Sequence, residues 1–127
     1  MKIPIRLAVF AAVLVMWAPI HLGSGMALVG ESTVLAVLGV MFGITLLGGA
    51  FLVWRRIAAV CFLLPIASLA VGTASASCVA FMLRDAGSTG AAMYVVSVAS
   101  LGPIAVAFVS LALFKSRVSR NYFGTCR

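Results

Sequence analysis

The fold is decided by residues 57–83, which read IAAVCFLLPIASLAVGTASASCVAFML and contain no Lys, Arg, Asp or Glu. Three further uncharged stretches occupy residues 7–30, 32–54 and 86–114. The four stretches are 27, 24, 23 and 29 residues long, whereas about 20 apolar residues suffice for a helix to cross a bilayer. The sequence therefore predicts an all-α integral membrane protein with four transmembrane helices in a compact bundle.

The composition supports a membrane-embedded chain without a separate soluble module. Hydrophobic residues make up 65% of the 127, charged residues only 9%, and the mean hydropathy is +1.27. Two acids and nine bases cannot form the polar exterior of a soluble domain of this length. We predict one transmembrane domain whose spans cover about residues 5–22, 33–54, 57–83 and 91–114, followed by a short basic tail at 115–127.

The basic residues fall on one side of the predicted membrane. Eight of the nine precede the first span, join the second to the third or follow the fourth, and they are Lys2, Arg6, Arg55, Arg56, Lys115, Arg117, Arg120 and Arg127. The opposite side holds Glu31, Arg84 and Asp85. Loops rich in Lys and Arg stay in the cytoplasm, so both termini are predicted to be cytoplasmic, most simply in a bacterial inner membrane.

These positive charges predict contact with the lipid bilayer and no nucleic-acid partner, although a net charge of +7 alone would suggest one. Bases beside a membrane attract anionic headgroups by roughly 1 kcal/mol each. Tyr122 and Phe123 in the tail are expected to dip into the headgroup layer. The residues to which we assign headgroup contact are Arg55, Arg56, Lys115, Arg117 and Arg120.

The first span also has features of a secretory signal, because a basic start and an apolar centre precede small residues in the stretch 1–27. The apolar run is long for a signal core, and Trp17, Pro19 and His21 interrupt its end. We therefore interpret it as a retained helix. The Gly-Ser-Gly sequence at 23–25 is expected to loosen the backbone just after this helix ends.

Small residues predict where the helices meet. In span two, Gly39 and Gly43 are four residues apart and share one helix face, which lets a neighbouring backbone approach closely. That neighbour is either another span of the same chain or a second copy in a homo-oligomer. Gly102 and Pro103 in span four and Pro65 in span three are predicted to kink their helices.

Span three carries the most regular pattern of small residues. One row recurs at four-residue steps, Ser68, Gly72, Ala76 and Ala80. A second row of small residues lies beside it, Ala70, Ala74 and Cys78, with hydroxyls at Thr73, Ser75 and Ser77 in the same half of the helix. In lipid, such surfaces supply van der Waals contact and interhelical hydrogen bonds, so this helix is predicted to be central.

The residues offer little chemistry. Both acids are at loop positions and His21 is the single histidine, so acid–base catalysis, haem ligation and an acid-coupled transport site are not indicated and the chain is predicted not to be an enzyme. Cys61, Cys78 and Cys126 have no CxxC spacing, which indicates neither a thiol pair nor a zinc site. The soft side chains near the outer membrane surface are interpreted as packing, with His21 as an interfacial polar anchor and no bound metal or cofactor; they are Met16, His21, Met26, Cys78, Met82 and Met93.

The sequence thus favours a protein that acts by association. Two helix faces of small residues and no acid inside the hydrocarbon suggest an accessory subunit of a larger membrane complex, or a membrane-protective, immunity-like protein. The partner is another protein or a second copy. The alternative is an oligomeric channel or uncoupled small-solute transporter lined by hydroxyls, which needs no buried charge, and its candidate lining residues are Ser68, Thr73, Ser77, Ser97 and Ser100.

Overall fold

A computed structural model shows an all-helical chain. The backbone is described for residues 2–30, 33–86 and 90–124, and side chains for 2–26, 29–30, 33–78 and 101–124. Five α-helices follow one another along the described backbone, and they are α1 (Ile5–Ala27), α2 (Thr33–Trp54), α3 (Val60–Ala86), α4 (Gly90–Phe114) and α5 (Arg117–Phe123). A single 3₁₀ turn, Leu28–Gly30, follows α1.

Three of these helices are long and apolar enough to cross a membrane, over Ile5–Met26, Thr33–Trp54 and Val60–Cys78. The described end of α4, Leu101–Phe114, and α5 together are also long and apolar enough, although the two helices meet at an angle of 81°. Counting this bent segment as one span brings the number to four. The length and hydropathy of the helices indicate an integral membrane protein. Most large side chains on the surface are accordingly apolar.

The first helix is longer than predicted. Pro4 starts α1, because its carbonyl accepts hydrogen bonds from the amides of Leu7 (2.9 Å) and Ala8 (3.0 Å). The helix then continues through Gly23–Gly25 to Ala27, five residues beyond the predicted end. Glycine disfavours a helix in water chiefly through backbone entropy and solvation, and neither competes strongly where a neighbouring helix packs against the glycine. Gly25 has such a neighbour in α2.

The other helix ends differ less from the prediction. The observed α2 coincides with the predicted span at 33–54, while α3 starts at Val60 and includes Arg84 and Asp85 in its last turn. The turn before α3 is tight because the amide of Ile57 donates to the Leu52 carbonyl (3.0 Å) and that of Arg56 to the Val53 carbonyl (3.2 Å). This is a Schellman cap, with Arg56 in the left-handed position at φ 57° where glycine is the usual residue.

The helices pack as two pairs joined through α2 and α3, with α1 mainly against α2 and α3 mainly against α4. The buried core includes Leu14, Phe42, Leu46 and Leu64. Phe10 of α1 meets Phe114 of α4 edge to face at 6.0 Å, which closes the bundle at the end where the chain starts. Pro19, Pro65 and Pro103 all lie inside continuous helices, so the kinks predicted at Pro65 and at Gly102–Pro103 remain predictions.

The tail forms a short helix that returns to the bundle. Ser116 caps α5 by accepting from the Ser119 amide at 3.3 Å. The Tyr122 hydroxyl donates to the Val53 carbonyl at the end of α2 (3.1 Å), and the ring of Phe123 packs edge to face on Phe114 at 5.8 Å. Both tail aromatics are therefore buried against protein, and the expectation that they enter the headgroup layer was wrong.

Candidate functional site

A tryptophan–histidine pair links the interior of the bundle to its surface, because the imidazole is buried and the indole of Trp17 is 39% exposed. His21 is only 6% exposed, and its Nε2 accepts a hydrogen bond of 2.6 Å from Nε1–H of Trp17, one helical turn earlier on α1. Because Nε2 accepts, the neutral imidazole carries its proton on Nδ1. His21 is enclosed by protein, while its predicted role as an interfacial polar anchor stays a prediction. We refer to Trp17 and His21 below as the core pair.

Helices α2 and α4 complete the surroundings of the core pair. The Phe42 ring meets the imidazole edge to face, with centroids 4.6 Å apart. On the other side, a Cβ placed on Gly102 would lie 3.5 Å from Nε2 of His21 and 3.8 Å from Nε1 of Trp17. These are ordinary van der Waals distances, so α4 packs against the polar edge of the pair at Gly102.

The two neighbouring helices contact the core pair near their middles. Phe42 is the tenth of 22 residues in α2 and Gly102 the thirteenth of 25 in α4. At about 1.5 Å per residue, Phe42 is ~14 Å from the start of its helix. No Lys, Arg, Asp or Glu occurs in residues 7–30, 32–54 or 86–114, and His21 is the one histidine of the sequence. An intramembrane histidine can bind and release a proton, and it can hydrogen-bond a polar solute.

Sequence reasoning missed this site, although a signal was present. Trp17 and His21 are four residues apart, a spacing that puts both on one helix face. The remaining soft side chains do not gather around the imidazole among the described residues. Met16 and Met26 are exposed, and Cys78 is a half-buried free thiol. The side chains of Met82, Met93, Ser97 and Ser100 lie outside those that the structure describes.

The predicted packing glycines of α2 lie against α1. A Cβ on Gly39 would be 3.0 Å from the Cα of Gly25, and one on Gly43 would be 3.2 Å from the Ala18 carbonyl oxygen and 2.6 Å from the Leu22 side chain. The contacts of both glycines are thus contacts within the chain. The two backbones come so close here that a side chain at Gly25 or at Gly39 would meet main-chain atoms of the other helix.

Helix α3 presents two rows of small residues in opposite environments. The buried row comprises Ser68, Gly72 and Ala76, of which the first two are buried and Ala76 half-buried. A Cβ on Gly72 would lie 2.9 Å from Cγ1 of Ile104 and 3.2 Å from Cβ of Pro103, so this row faces α4. The side chain of Ala80, the fourth residue predicted for this row, lies outside the described set.

The second predicted row is only partly uncovered, because its Cys78 is half-buried and Ser75 beside it is buried. The members that are exposed form what we call the exposed row, and it consists of Ala70, Thr73, Ala74 and Ser77. The two hydroxyls donate back to carbonyls of their own helix, with Thr73 bonded to Leu69 (2.9 Å) and Ser77 to Thr73 (2.9 Å). Earlier on the same face the exposed side chains are large, namely Phe62, Leu63, Ile66 and Leu69. The exposed face of α3 therefore changes from bulky to small at Ala70.

Basic and aromatic side chains gather where α2 ends. The Arg55 guanidinium lies 5.8 Å from the centre of the Phe51 ring and that of Arg56 lies 5.0 Å from the Tyr122 ring, both within cation–π range. Arg120 donates to the Lys115 carbonyl at 3.1 Å. The headgroup role predicted for these residues and for Arg117 remains a prediction.

One cysteine differs from expectation. Cys61, at the start of α3, is buried and disulfide-bonded, although the spacing of the cysteines indicated no thiol pair. Cys126 lies outside the described residues.

No family model, curated protein or solved structure matches this chain. Its class is therefore defined by its own helices, as an integral membrane protein with three helices in the described residues that are candidate spans, or up to four if the bent segment is counted.

Proposed function

We propose that the chain is a four-span, non-catalytic membrane protein that acts by association, as an accessory subunit of a larger membrane complex or as a membrane-protective protein. The fourth span is α4. Its 25 residues contain no charged side chain and extend over ~38 Å at about 1.5 Å per residue, more than the ~30 Å of a hydrocarbon core.

Both termini are assigned to the cytoplasm. The Tyr122–Val53 hydrogen bond brings the tail to the end of α2, so Arg55, Arg56 and the tail bases share one end of the bundle. The positive-inside rule assigns that end to the cytoplasm. The disulfide at Cys61 points the other way, because disulfides persist in oxidising compartments and Cys61 lies at this same end. The cytoplasmic assignment is preferred because eight basic residues favour it and one disulfide opposes it.

Labelling of single cysteines tests the orientation. Cysteines introduced near residue 31 or 88 should react with an impermeant thiol reagent from the periplasmic side, and cysteines near 56 or 118 should not. The reverse pattern would invert the assignment and would agree with the Cys61 disulfide. Equal labelling at all four positions would mean that the chain inserts in both orientations.

The exposed row of α3 is the observation that carries the association hypothesis. Lipid tails gain nothing from small or hydroxyl side chains, whereas a partner helix packs closely on them and can donate hydrogen bonds to the hydroxyl oxygens. Ala70, Thr73, Ala74 and Ser77 follow the i, i+3, i+4, i+7 spacing of one helix face. The proposed partner is therefore a membrane helix of another protein or of a second copy.

The test is co-purification in a mild detergent. Ala74→Leu should reduce the recovery of partner chains at least tenfold, while the thermal stability of the isolated chain stays unchanged because Ala74 is exposed. Ala105→Leu is the matched control, since Ala105 is an exposed alanine on α4. Partner recovery that survives Ala74→Leu would contradict the hypothesis. The identity of the recovered chains separates an accessory role from a protective one.

A second candidate, a small-solute carrier or channel, is favoured by the core pair. His21 is a polar, ionisable group between three helices, next to the Gly102–Pro103 step of α4. Such groups mark solute or proton pathways in membrane proteins. Of the hydroxyls proposed to line a pore, Thr73 and Ser77 are exposed and bonded to their own helix, which leaves Ser68 as the buried one among the described side chains.

Flux into proteoliposomes distinguishes the two candidates. A carrier that uses His21 would show uptake driven by a pH gradient, and His21→Gln would abolish it. The double variant Glu31→Gln/Asp85→Asn is the control. It should leave such uptake intact, because both acids lie between the apolar stretches and not within one. Absence of any wild-type flux leaves association as the function.

A further inference from the structure

An open groove follows the contact between α1 and α2 on the outside of the bundle. Its volume is about 540 Å³, and every residue that lines it is apolar. The groove exists because alanines occupy positions where larger side chains would fill the space. These alanines are Ala8, Ala11, Ala12 and Ala50. The volume falls within the ~300–1,000 Å³ typical of small-molecule sites.

A second cavity adjoins the groove at the end of α2. It has a volume of about 470 Å³ and is lined by Phe51, Trp54, Arg55 and Arg56. Phe51 and Trp54 line both cavities, so an apolar groove leads directly into a basic, aromatic pocket. The Arg55 guanidinium is held over the Phe51 ring at this junction.

The pocket carries two guanidinium groups. Arg55 and Arg56 are both exposed, and both acids of the sequence, at positions 31 and 85, are more than 20 residues away along the chain. Arg56 also occupies the left-handed position of the Schellman cap, where an L-residue costs roughly 1–2 kcal/mol more than glycine. A second guanidinium is thus present at a position where glycine would be conformationally easier.

We infer that these two cavities form one binding site for an anionic phospholipid of the membrane. An acyl chain occupies the groove over Ala8, Ala12 and Ala50, and the phosphate contacts Arg55 and Arg56. Guanidinium groups pair well with phosphate oxygens, and Trp54 is suited to the carbonyl region where chain and headgroup meet. This site goes beyond the general attraction of basic residues to the membrane, because the groove gives the acyl chain of the lipid a fixed position.

Native mass spectrometry of the purified chain in detergent tests the inference, with phosphatidylglycerol and phosphatidylcholine as probes. Wild type should retain phosphatidylglycerol more tightly. Arg55→Gln should reduce its occupancy about fivefold, the ratio that corresponds to roughly 1 kcal/mol per juxtamembrane charge. Ala12→Leu should reduce the occupancy by both lipids, because the new side chain fills the groove. Inorganic phosphate should not displace the lipid.

Two control variants make the result decisive. Arg120→Gln removes an exposed charge of the tail that lines neither cavity, and Val13→Leu enlarges an exposed side chain of α1 outside the groove. Equal losses in Arg55→Gln and Arg120→Gln, or in Ala12→Leu and Val13→Leu, would overturn the site. So would displacement by inorganic phosphate. Loss of a co-purifying protein in Ala12→Leu with unchanged lipid occupancy would assign the groove to a partner helix instead.

Discussion

The two rows of α3 have nearly the same composition and opposite surroundings. Gly72 of the buried row lies against Ile104 and Pro103, whereas Ala74, two residues later, is exposed. Two residues correspond to ~200° around a helix, so the rows lie on opposite sides. Small residues alone therefore do not reveal whether a helix face serves internal packing or an external partner. The register of the neighbouring helix decides which face is used for internal packing.

The largest effect that this comparison predicts is at Gly72. Leucine at this position would place Cβ 2.9 Å from Ile104, with further atoms pressing on Pro103, whose ring and backbone cannot move easily. We expect Gly72→Leu to lose about 1–3 kcal/mol of folding stability. Thermal unfolding in detergent measures this, with Ala74→Leu as the control on the other face. Similar unfolding temperatures for the two variants would mean that the rows are not distinct.

A pair of glycines on α1 sharpens the same contrast between covered and open positions. A Cβ on Gly25 would lie 2.9 Å from the Ala36 carbonyl oxygen and from the Val40 amide nitrogen, while a Cβ on Gly23 would meet nothing within 4 Å. Gly25→Ala should therefore destabilise the bundle by about 1–2 kcal/mol, as overpacking against backbone does. Gly23→Ala should instead raise stability by ~0.5–1 kcal/mol, since alanine favours a helix.

Both alanine variants can be followed by resistance to unfolding in increasing concentrations of a denaturing detergent. A stabilising Gly25→Ala would show that the two backbones are further apart than described. A destabilising Gly23→Ala would show that this side of α1 is covered in the assembled protein, by a partner or a second copy.

The smallest expected effect concerns hydroxyls on the two faces. Ser68 is fully buried and its Oγ has no hydrogen-bond partner among the described residues, whereas Ser77 is exposed and bonded to the Thr73 carbonyl. An unsatisfied buried hydroxyl is unfavourable, so Ser68→Ala should stabilise the chain by about 1 kcal/mol. Ser77→Ala should change stability by less than ~0.5 kcal/mol. A clear loss in Ser68→Ala would indicate that this hydroxyl has a partner in the membrane-embedded protein.

The uncharged stretches predicted the helices well because a charged side chain within the lipid is energetically unfavourable, so charges mark the ends of the spans. The α2 boundaries at Thr33 and Trp54 follow directly from Glu31 on one side and Arg55 on the other. The end of α1 was missed because glycines at 23 and 25 were judged by their behaviour in water. In the bundle, Gly25 is a contact point with α2 and the helix continues through it.

The candidate site was harder to predict because it depends on contacts between distant helices. His21 interrupts the end of the apolar run of the first span, a place that favours an interfacial polar side chain. Only Phe42 and Gly102, from two other helices, reveal that the imidazole is enclosed. The aromatic tail shows the same limitation, since the contact of Tyr122 with Val53 joins residues 69 positions apart. Local pattern carries no information about such pairs.

The Trp17–His21 hydrogen bond also gives the bundle an optical signal of its own. The chain has two tryptophans. Trp54 is 70% exposed at the end of α2, whereas Trp17 is 39% exposed and hydrogen-bonded to the His21 imidazole near Gly102. In a Trp54→Phe background all indole emission comes from Trp17. Its intensity and wavelength then report proton binding at His21, which quenches indole, and any movement of α4 away from α1. The chain can thus be followed during insertion, solute addition or partner binding by intrinsic fluorescence, without an attached dye.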